Sequence, residues 1–441
     1  MPENERLAYL LSLETAERLK ELSQLSPEER REFSHHWRLW ARDEQVPPPG
    51  DWRLWLIMAG RGFGKTRAGA EWAREIADAE PEARIALVAA SLGEARAVMV
   101  EGESGLLAIC PPGHMPSFEP SLRRLTWPNG AQATLYSAGE PESLRGPQHS
   151  QVWCDELAKW DNANGKAGKA WDNLRFGLRL GEHPRALVTT TPRAVPLLQR
   201  LLAEGDVTVT RGKTEDNAEH LPTRFIRDIR RTYGKSLLGR QELDGELIED
   251  LPGALWTRGL LEQCREAAAS APPARVVVGV DPPASAGGDA CGIIVCALGE
   301  DGIARVLADA SVARASPERW AKAVAQAARA WQADRVIAEA NQGGAMVGSV
   351  LRAAEISLPL KLVHASRGKV ARAEPVAALY EAGRVRHAGI FPALEDELCG
   401  LIIGGAYEGP GRSPDRADAL VWALSELMLG RRGRPRVWVE G

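Results

Sequence analysis

The sequence predicts an α/β protein of two units: a parallel sheet covered by helices on both faces, then a second, strand-rich α/β unit. Three observations predict it. The apolar run Leu56-Ile57-Met58 breaks into a glycine-rich turn and then at once into a helical pattern through Trp72. Further short apolar runs follow at 84–90, 152–154, 186–191 and 207–210, separated by helical stretches. Such alternation of strand and helix implies parallel pairing. After a proline-bearing break at 251–273, a new set of strands begins at Arg275 and the pattern runs to about Gly430.

Composition sets the frame. A chain of 441 residues has room for two or three domains, each with its own core. Charged residues are 26% and apolar residues 44%, the balance of an ordinary globular protein. With a net charge of −4, any affinity for nucleic acid must come from local basic surfaces. The six cysteines are scattered without a CxxC pair, and read as buried or idle thiols in a reducing compartment. The polar N-terminus is unlike a signal peptide, and no apolar run is long enough to span a bilayer.

Taken in order, residues 5–43 carry helical spacing, with a helix start at Ser26-Pro27-Glu28-Glu29, and residues 1–45 form an N-terminal helical segment. Gln45-Val46-Pro47-Pro48-Pro49-Gly50 is a rigid connector. Its Gln45 either reads adenine through its amide or is a plain linker residue; the sequence leaves both open. The first unit spans 46–250. Asn129-Gly130 between extended runs signals a hairpin. Val152-Trp153-Cys154-Asp155-Glu156 is a strand ending in two acids, and Ala186 to Pro192 is one ending in hydroxyls. Residues 251–273 read as a connection, 274–430 as the second unit, and 431–441 as a short basic tail. Parallel sheets place ligands beyond the carboxyl ends of their strands, where Lys65, Asp155, Glu156 and Thr191 all fall.

The residues at those ends carry a specific chemistry. Ala59-Gly60-Arg61-Gly62-Phe63-Gly64-Lys65-Thr66 is a phosphate-binding loop except that Ala59 replaces its first glycine. Gly60, Gly62 and Gly64 let backbone N–H groups converge on phosphate oxygens at a helix start that already favours anions. Lys65 reaches the outer phosphates and the Thr66 hydroxyl ligates magnesium. Asp155 fits the magnesium-side acid, and Glu156 the group that polarises an attacking water. Arg61 inside the loop, or Arg145 in Ser143-Leu144-Arg145-Gly146, can stabilise charge on a transferred phosphoryl group. The hydroxyls of Thr189, Thr190 and Thr191 can sense the phosphate and relay its loss.

A second set of acids lies in the second unit. A buried strand delivers Asp281 to its end, with Asp289 eight residues on; an antiparallel trio continues through Cys291–Leu298 and Ile303–Ala308. A later strand ends in Glu339, and Asp415 and Asp418 share one face at the start of the last long helix. Unpaired carboxylates brought together repel, and magnesium or manganese removes that repulsion. Two such ions suit phosphodiester cleavage. The basic stretch Lys361, His364, Arg367, Lys369, Arg372, then Arg384, Arg386 and His387, suits DNA phosphates.

Both constellations, in this order, resemble the large subunit of a phage DNA-packaging terminase, in the branch of tailed phages, prophages and gene-transfer particles. The strings that carry the likeness are Trp55 through Trp72, Leu144-Arg145-Gly146-Pro147, Cys154-Asp155-Glu156, Thr190-Thr191-Pro192 and Asp415 through Trp422. The resemblance implies a P-loop additional-strand ATPase domain that pumps double-stranded DNA into a procapsid, followed by an RNase H-like nuclease that cuts concatemeric DNA. It implies ATP and Mg2+ as cofactors, with Mn2+ as an option at the nuclease. The implied partners are the portal, a small terminase subunit, and further copies of the chain in a ring. The implied place is the host cytoplasm, docked transiently on the procapsid. Carried over, Lys65, Thr66, Asp155 and Glu156 match the ATPase motifs and Thr191 the coupling motif. Arg61 and Arg145 both match arginine positions. Asp281, Glu339 and Asp418 match the nuclease acids, with Asp289 and Asp415 as accessories, and Lys369 lies where the family has a basic group. A helicase-nuclease of DNA repair would need a second motor domain. A nucleotide-gated scaffold would not turn ATP over.

Overall fold

The computed structural model describes residues 3–26, 33, 35–111, 113–162, 164–234, 236–266, 273–283, 290–341 and 344–429. Asp289, most of the helix start at Ser26–Glu29 and the basic tail lie outside them. The chain divides into two compact units, Met1–Glu249 and Asp250–Gly441.

In the first unit, helices Glu3–Ser12 and Thr15–Gln24 pack around Leu10, Leu22, Phe33 and Leu39. Arg18 fastens them by donating to the carbonyl oxygens of Leu39 and Ala41. The sheet behind them has eight strands: β1 (Leu54–Ala59), β2 (Arg84–Ala89), β3 (Ser117–Glu119), β4 (Arg124–Thr126), β5 (Gln132–Ser137), β6 (Gln151–Cys154), β7 (Arg185–Thr190) and β8 (Val207–Gly212). Their order is β3-β4-β5-β2-β6-β7-β1-β8. From β5 to β8 every pairing is parallel; β3 and β4 add an antiparallel edge. The Asn129-Gly130 signal is the β4–β5 turn, where Gly130 takes a positive φ of 101°. β7 lies between β6 and β1, so it is the additional strand that the resemblance implied.

β1 is apolar throughout because both its faces are covered. Leu54, Leu56 and Met58 pack with Trp171, Leu174, Leu198 and Leu201 from helices Lys166–Gly177 and Pro196–Ala203. Trp55, Ile57 and Ala59 pack with Ala68, Trp72 and Ala73 of helix Lys65–Ala79.

The second unit is built on β9 (Pro273–Asp281), β10 (Ala290–Gly299), β11 (Ala304–Asp309), β12 (Val312–Ala313), β13 (Arg335–Glu339), β14 (Leu360–Val363) and β15 (Val385–His387). The order is β14-β13-β9-β10-β11-β15, with β12 pairing β10. β9, β10 and β11 form the expected antiparallel trio; β13 and β14 extend it in parallel from β9, and β15 from β11. Helices Pro317–Ala330 and Ala345–Ala354 cover one face. Helices Lys369–Glu381, Pro392–Cys399 and Asp415–Leu424 cover the other. Among the described residues, no helix is long and apolar enough to cross a membrane.

Part of the segment read as a connection belongs to this second unit. Trp256 is fully buried and meets Tyr380 edge-on, with ring centroids 5.7 Å apart. The Leu255 N–H donates to Leu401 O at 2.8 Å, and the Glu266 N–H to His387 O at 2.9 Å. Arg258 pairs with Asp396, and Arg265 takes both oxygens of Glu395 at 3.1 and 2.9 Å. The sequence hides this docking because the arginines' partners lie some 130 residues downstream.

Burial alone would raise the Glu395 carboxyl, but His387 and Arg265 outweigh it and hold it at about 2. A carboxylate so depressed stabilises the fold fully above its ordinary value of 4.5, and the stabilisation is lost as the pH falls towards about 2. Glu395→Gln should therefore lower stability by about 2–3 kcal/mol at neutral pH in denaturant unfolding followed by tryptophan fluorescence. The deficit should shrink in acid; a deficit that ignores pH rules out this ion pair as its source.

Candidate functional sites

The first site begins where β1 ends. Gly62 and Gly64 take positive φ of 75° and 97°, the turn that sends the chain into helix Lys65–Ala79. Neighbouring donors tie down the loop's carbonyl oxygens. Thr214 Oγ1 donates to Arg61 O at 2.7 Å, Asn217 Nδ2 to Gly62 O at 2.7 Å, and Arg42 Nη2 to Phe63 O at 2.6 Å. Gln45 is buried and joins them: its amide nitrogen donates to Phe63 O at 3.2 Å and its oxygen accepts from the Arg42 N–H. Its side chain thus braces the loop, a role that neither the adenine-reading nor the linker expectation names.

Lys65, only 6% exposed, donates to Ala59 O at 3.0 Å, Gly60 O at 3.1 Å and Thr191 Oγ1 at 3.1 Å. Its ammonium lies 3.7 Å from Glu156 Oε1. Burial lowers its pKa, against the pull of Glu156 and Asp155. Thr66 follows it in the helix's first turn. Asp155, at the end of β6, is buried, and burial pushes it up to about 6 although Thr189 Oγ1 donates to it at 2.7 Å. The next residue, Glu156, sits in the left-handed region at φ 47°, a conformation unfavourable for a side chain other than glycine. This turn aims its carboxylate at Thr191, whose N–H and Oγ1 lie at 3.3 and 3.4 Å.

Lys65, Asp155, Glu156 and Thr191 are therefore together, as their places at strand ends led one to expect. Thr190 is turned elsewhere, its hydroxyl accepting from the Ala158 N–H. Thr189, unassigned to Asp155 from the sequence, is the hydroxyl that orients it. Arg61 is tethered to Glu242 at the rim. Arg145 is 79% exposed and reaches only towards Glu142, at 3.9 Å, so within this unit it stands apart from the cluster.

The second site lies where β9 and β13 end side by side. Ala338 pairs with Val280, which puts Glu339 next to Asp281. Helix Asp415–Leu424 supplies Asp418 and, close by, Asp415. Two glycines bring that helix so near: a Cβ at Gly279 would lie 1.9 Å from Ala419 O, and one at Gly292 1.9 Å from Asp415 O. The residue before this helix, Pro414, offers no side-chain cap. Glu397 caps it instead, accepting from the N–H groups of Arg416 at 2.6 Å and Ala417 at 3.1 Å. Burial pushes Glu397 up to about 7 against the pull of Arg416.

Two cations stand among these acids. Lys369 Nζ lies 2.5 Å from Asp418 and 3.9 Å from Asp281. Arg372, stacked on the Trp422 ring at 4.6 Å, donates to Glu339 at 2.9 Å and to Asp418 at 3.2 Å. Trp422 Nε1 also donates to Glu339, at 2.8 Å. Burial first, then the Asp418 charge, drives Asp281 well above the usual carboxylate range; Lys369 opposes them. With the cations in place, no group of three or more His, Cys, Asp or Glu side chains among the described residues is arranged to hold a metal ion. The donor set, all carboxylate oxygen, still matches a hard divalent cation.

The basic stretch divides. Arg372 and Lys369 face the acids, Arg367 is exposed, and Lys361 pairs with Glu426 at 2.8 Å. His387, grouped with the surface cations in the sequence, is fully buried, with Tyr380 Oη 2.8 Å from its Nε2. Periodicity could not reveal this, because the partners come from other elements.

Two family profiles match the chain. One, described as "Terminase large subunit, T4likevirus-type, N-terminal", covers residues 56–263; the other, "Terminase RNaseH-like domain", covers residues 278–427. No curated protein matches. Among solved structures, the large terminase of a thermophilic bacteriophage is 11% identical at a TM-score of 0.38, covering 90% of this chain and 98% of its own. The HK97 bacteriophage large terminase is 15% identical at 0.36, with 91% and 95% covered. The large terminase nuclease of thermophilic phage G20c is 15% identical at 0.31, over 40% of this chain and 98% of that one.

The close approach at Gly279 is testable in the full chain. Gly279→Ala must push the Asp415–Leu424 helix off the sheet and should cost about 1–3 kcal/mol of stability. A thermal melt with an unchanged midpoint would contradict the 1.9 Å approach.

Proposed function

Since the chain belongs to the phage large-terminase family, joining a packaging ATPase domain to an RNase H-like nuclease domain, we propose that its own cluster at β1, β6 and β7 splits ATP to drive double-stranded DNA into a procapsid. The observation that carries this reading is the meeting of Lys65, Asp155, Glu156 and Thr191 at the carboxyl edge of one parallel sheet. The glycine loop and helix start take the phosphates. Lys65 leaves its carbonyl partners for the outer phosphates. Thr66 and Asp155 would hold Mg2+, which supplies charge neutralisation there. Glu156 orients the attacking water, and on phosphate release its carboxylate returns to Thr191, linking turnover to β7. Arg61 or Arg145 meets the transferred phosphoryl charge, Arg145 from its exposed loop towards a neighbouring copy. Double-stranded DNA, a portal, a small subunit and a ring of copies are the partners this reading assigns.

For the second unit we infer metal-dependent cleavage of concatemeric DNA. Asp281, Glu339 and Asp418 would hold Mg2+ or Mn2+, with Asp415 and Asp289 in support, and bound ions stabilise charge on the attacking and leaving oxygens. Lys369 would exchange its carboxylate partners for a DNA phosphate, while Arg372 stays fixed under Trp422. Lys361 and Arg367 lie on the DNA-facing side of this reading.

Two substitutions test the halves separately. Glu156→Gln should cut ATP turnover by about 10²–10⁴-fold while nucleotide still binds; unchanged turnover would point to a nucleotide-gated scaffold. Asp281→Asn should abolish manganese-dependent plasmid nicking and leave ATPase activity unchanged. Persistent nicking by that variant removes Asp281 from the nuclease.

A further inference from the structure

Arg193 follows Thr191-Pro192, immediately beyond the end of β7. Its guanidinium lies 3.7 Å from Glu242 Oε1. The other oxygen of the same carboxylate takes Arg61 of the phosphate loop. Gln241 Nε2 also donates to Glu242, at 3.1 Å. The carboxylate is 14% exposed, at the end of helix Leu237–Glu242. The backbone repeats the link, with the Arg61 N–H donating to Glu242 O at 2.7 Å. Two arginines from separate parts of the site thus converge on one anion, beside a loop built to receive phosphate.

A planar guanidinium fits carboxylate and phosphate oxygens alike. We propose that in the nucleotide-free protein Glu242 holds the place of the terminal phosphate between Arg61 and Arg193, so that ATP binds by displacing it and Arg193 is a second phosphate-contacting arginine. The proposal rests on the ATP reading above and names how that site is gated. Burial alone would raise Glu242, but Arg61 and Arg193 outweigh it, so the group stays an anion at neutral pH. The chain from Thr214 to Glu242 is pinned to the loop at both ends, by Thr214 and Asn217 on one side and Glu242 on the other. Displacing the Glu242 carboxylate frees its side-chain tie to Arg61 and Arg193, while the backbone bond from the Arg61 N–H to Glu242 O keeps that end held. ADP, lacking the terminal phosphate, leaves the pin in place.

The test compares binding of ADP and of a slowly hydrolysed ATP analogue to the full-length protein with magnesium, by calorimetry. Arg193→Ala should weaken the analogue by about tenfold or more, the loss expected for one charge-assisted contact, and leave ADP unchanged. Glu242→Gln, which keeps the shape and removes the competing charge, should tighten the analogue several-fold and again spare ADP. If both nucleotides shift together, or neither shifts, Glu242 is a structural partner only and the proposal fails. A wild-type protein that binds neither nucleotide overturns the ATP reading itself, a distinct result. Arg193 is about a third exposed, so its truncation spares the fold and that arm decides the matter should Glu242→Gln not fold.

Discussion

A carboxylate taken out of water must find a cation or give up its charge, and both halves of this protein are arranged around that constraint. Lys65 stands beside Glu156, with Asp155 in range, and Arg61 and Arg193 share Glu242. Lys369 and Arg372 separate Asp281, Glu339 and Asp418. Even the support behind the second site follows the rule. The consecutive acids Glu395, Asp396 and Glu397 each take a different arginine: Arg265, Arg258 and Arg416. Through those three pairs one short helix grips the incoming chain on one side and the Asp415–Leu424 helix on the other.

This arrangement gives the two sites a common logic. In each, the cations that suit phosphate are held on the protein's own acids. On the proposed reading, a nucleotide at one site would gain Lys65, and a DNA phosphate at the other would gain Lys369, by exchange rather than by assembly. Such an exchange would lower the net gain of binding and add specificity, because the incoming anion must outcompete the internal carboxylate. Backbone geometry serves the same end: the left-handed Glu156 and the glycine approaches at Gly279 and Gly292 carry strain or close contact where acids are aimed.

Much of this was legible in the residue order. Short apolar runs and their spacing gave β1, β2, β6 and β7, because a strand covered on both faces must be apolar throughout. Asn129-Gly130 marked its hairpin through turn chemistry that is local. Acids and hydroxyls at strand ends were readable as a group, since parallel sheets align those ends. The reading stopped where partners are distant. Nothing near Trp256 or Arg265 announces that they dock on the second unit, nothing near His387 tells that it is buried, and nothing near Gln45 shows that it braces the phosphate loop.

The sequence by itself determined the two α/β units, the glycine-rich loop after β1, and the placing of Asp155, Glu156, Asp281 and Glu339 at strand ends and of Asp418 at a helix start, because periodicity and turn geometry act over a few residues. Only the tertiary structure decided which charges meet: Lys369 and Arg372 set on the acids of the second site, Arg193 and Arg61 joined on Glu242, and Glu397 set as the cap of a helix that begins well downstream of it. Charge pairing depends on through-space distance in a low dielectric, and spacing along a chain carries no record of it.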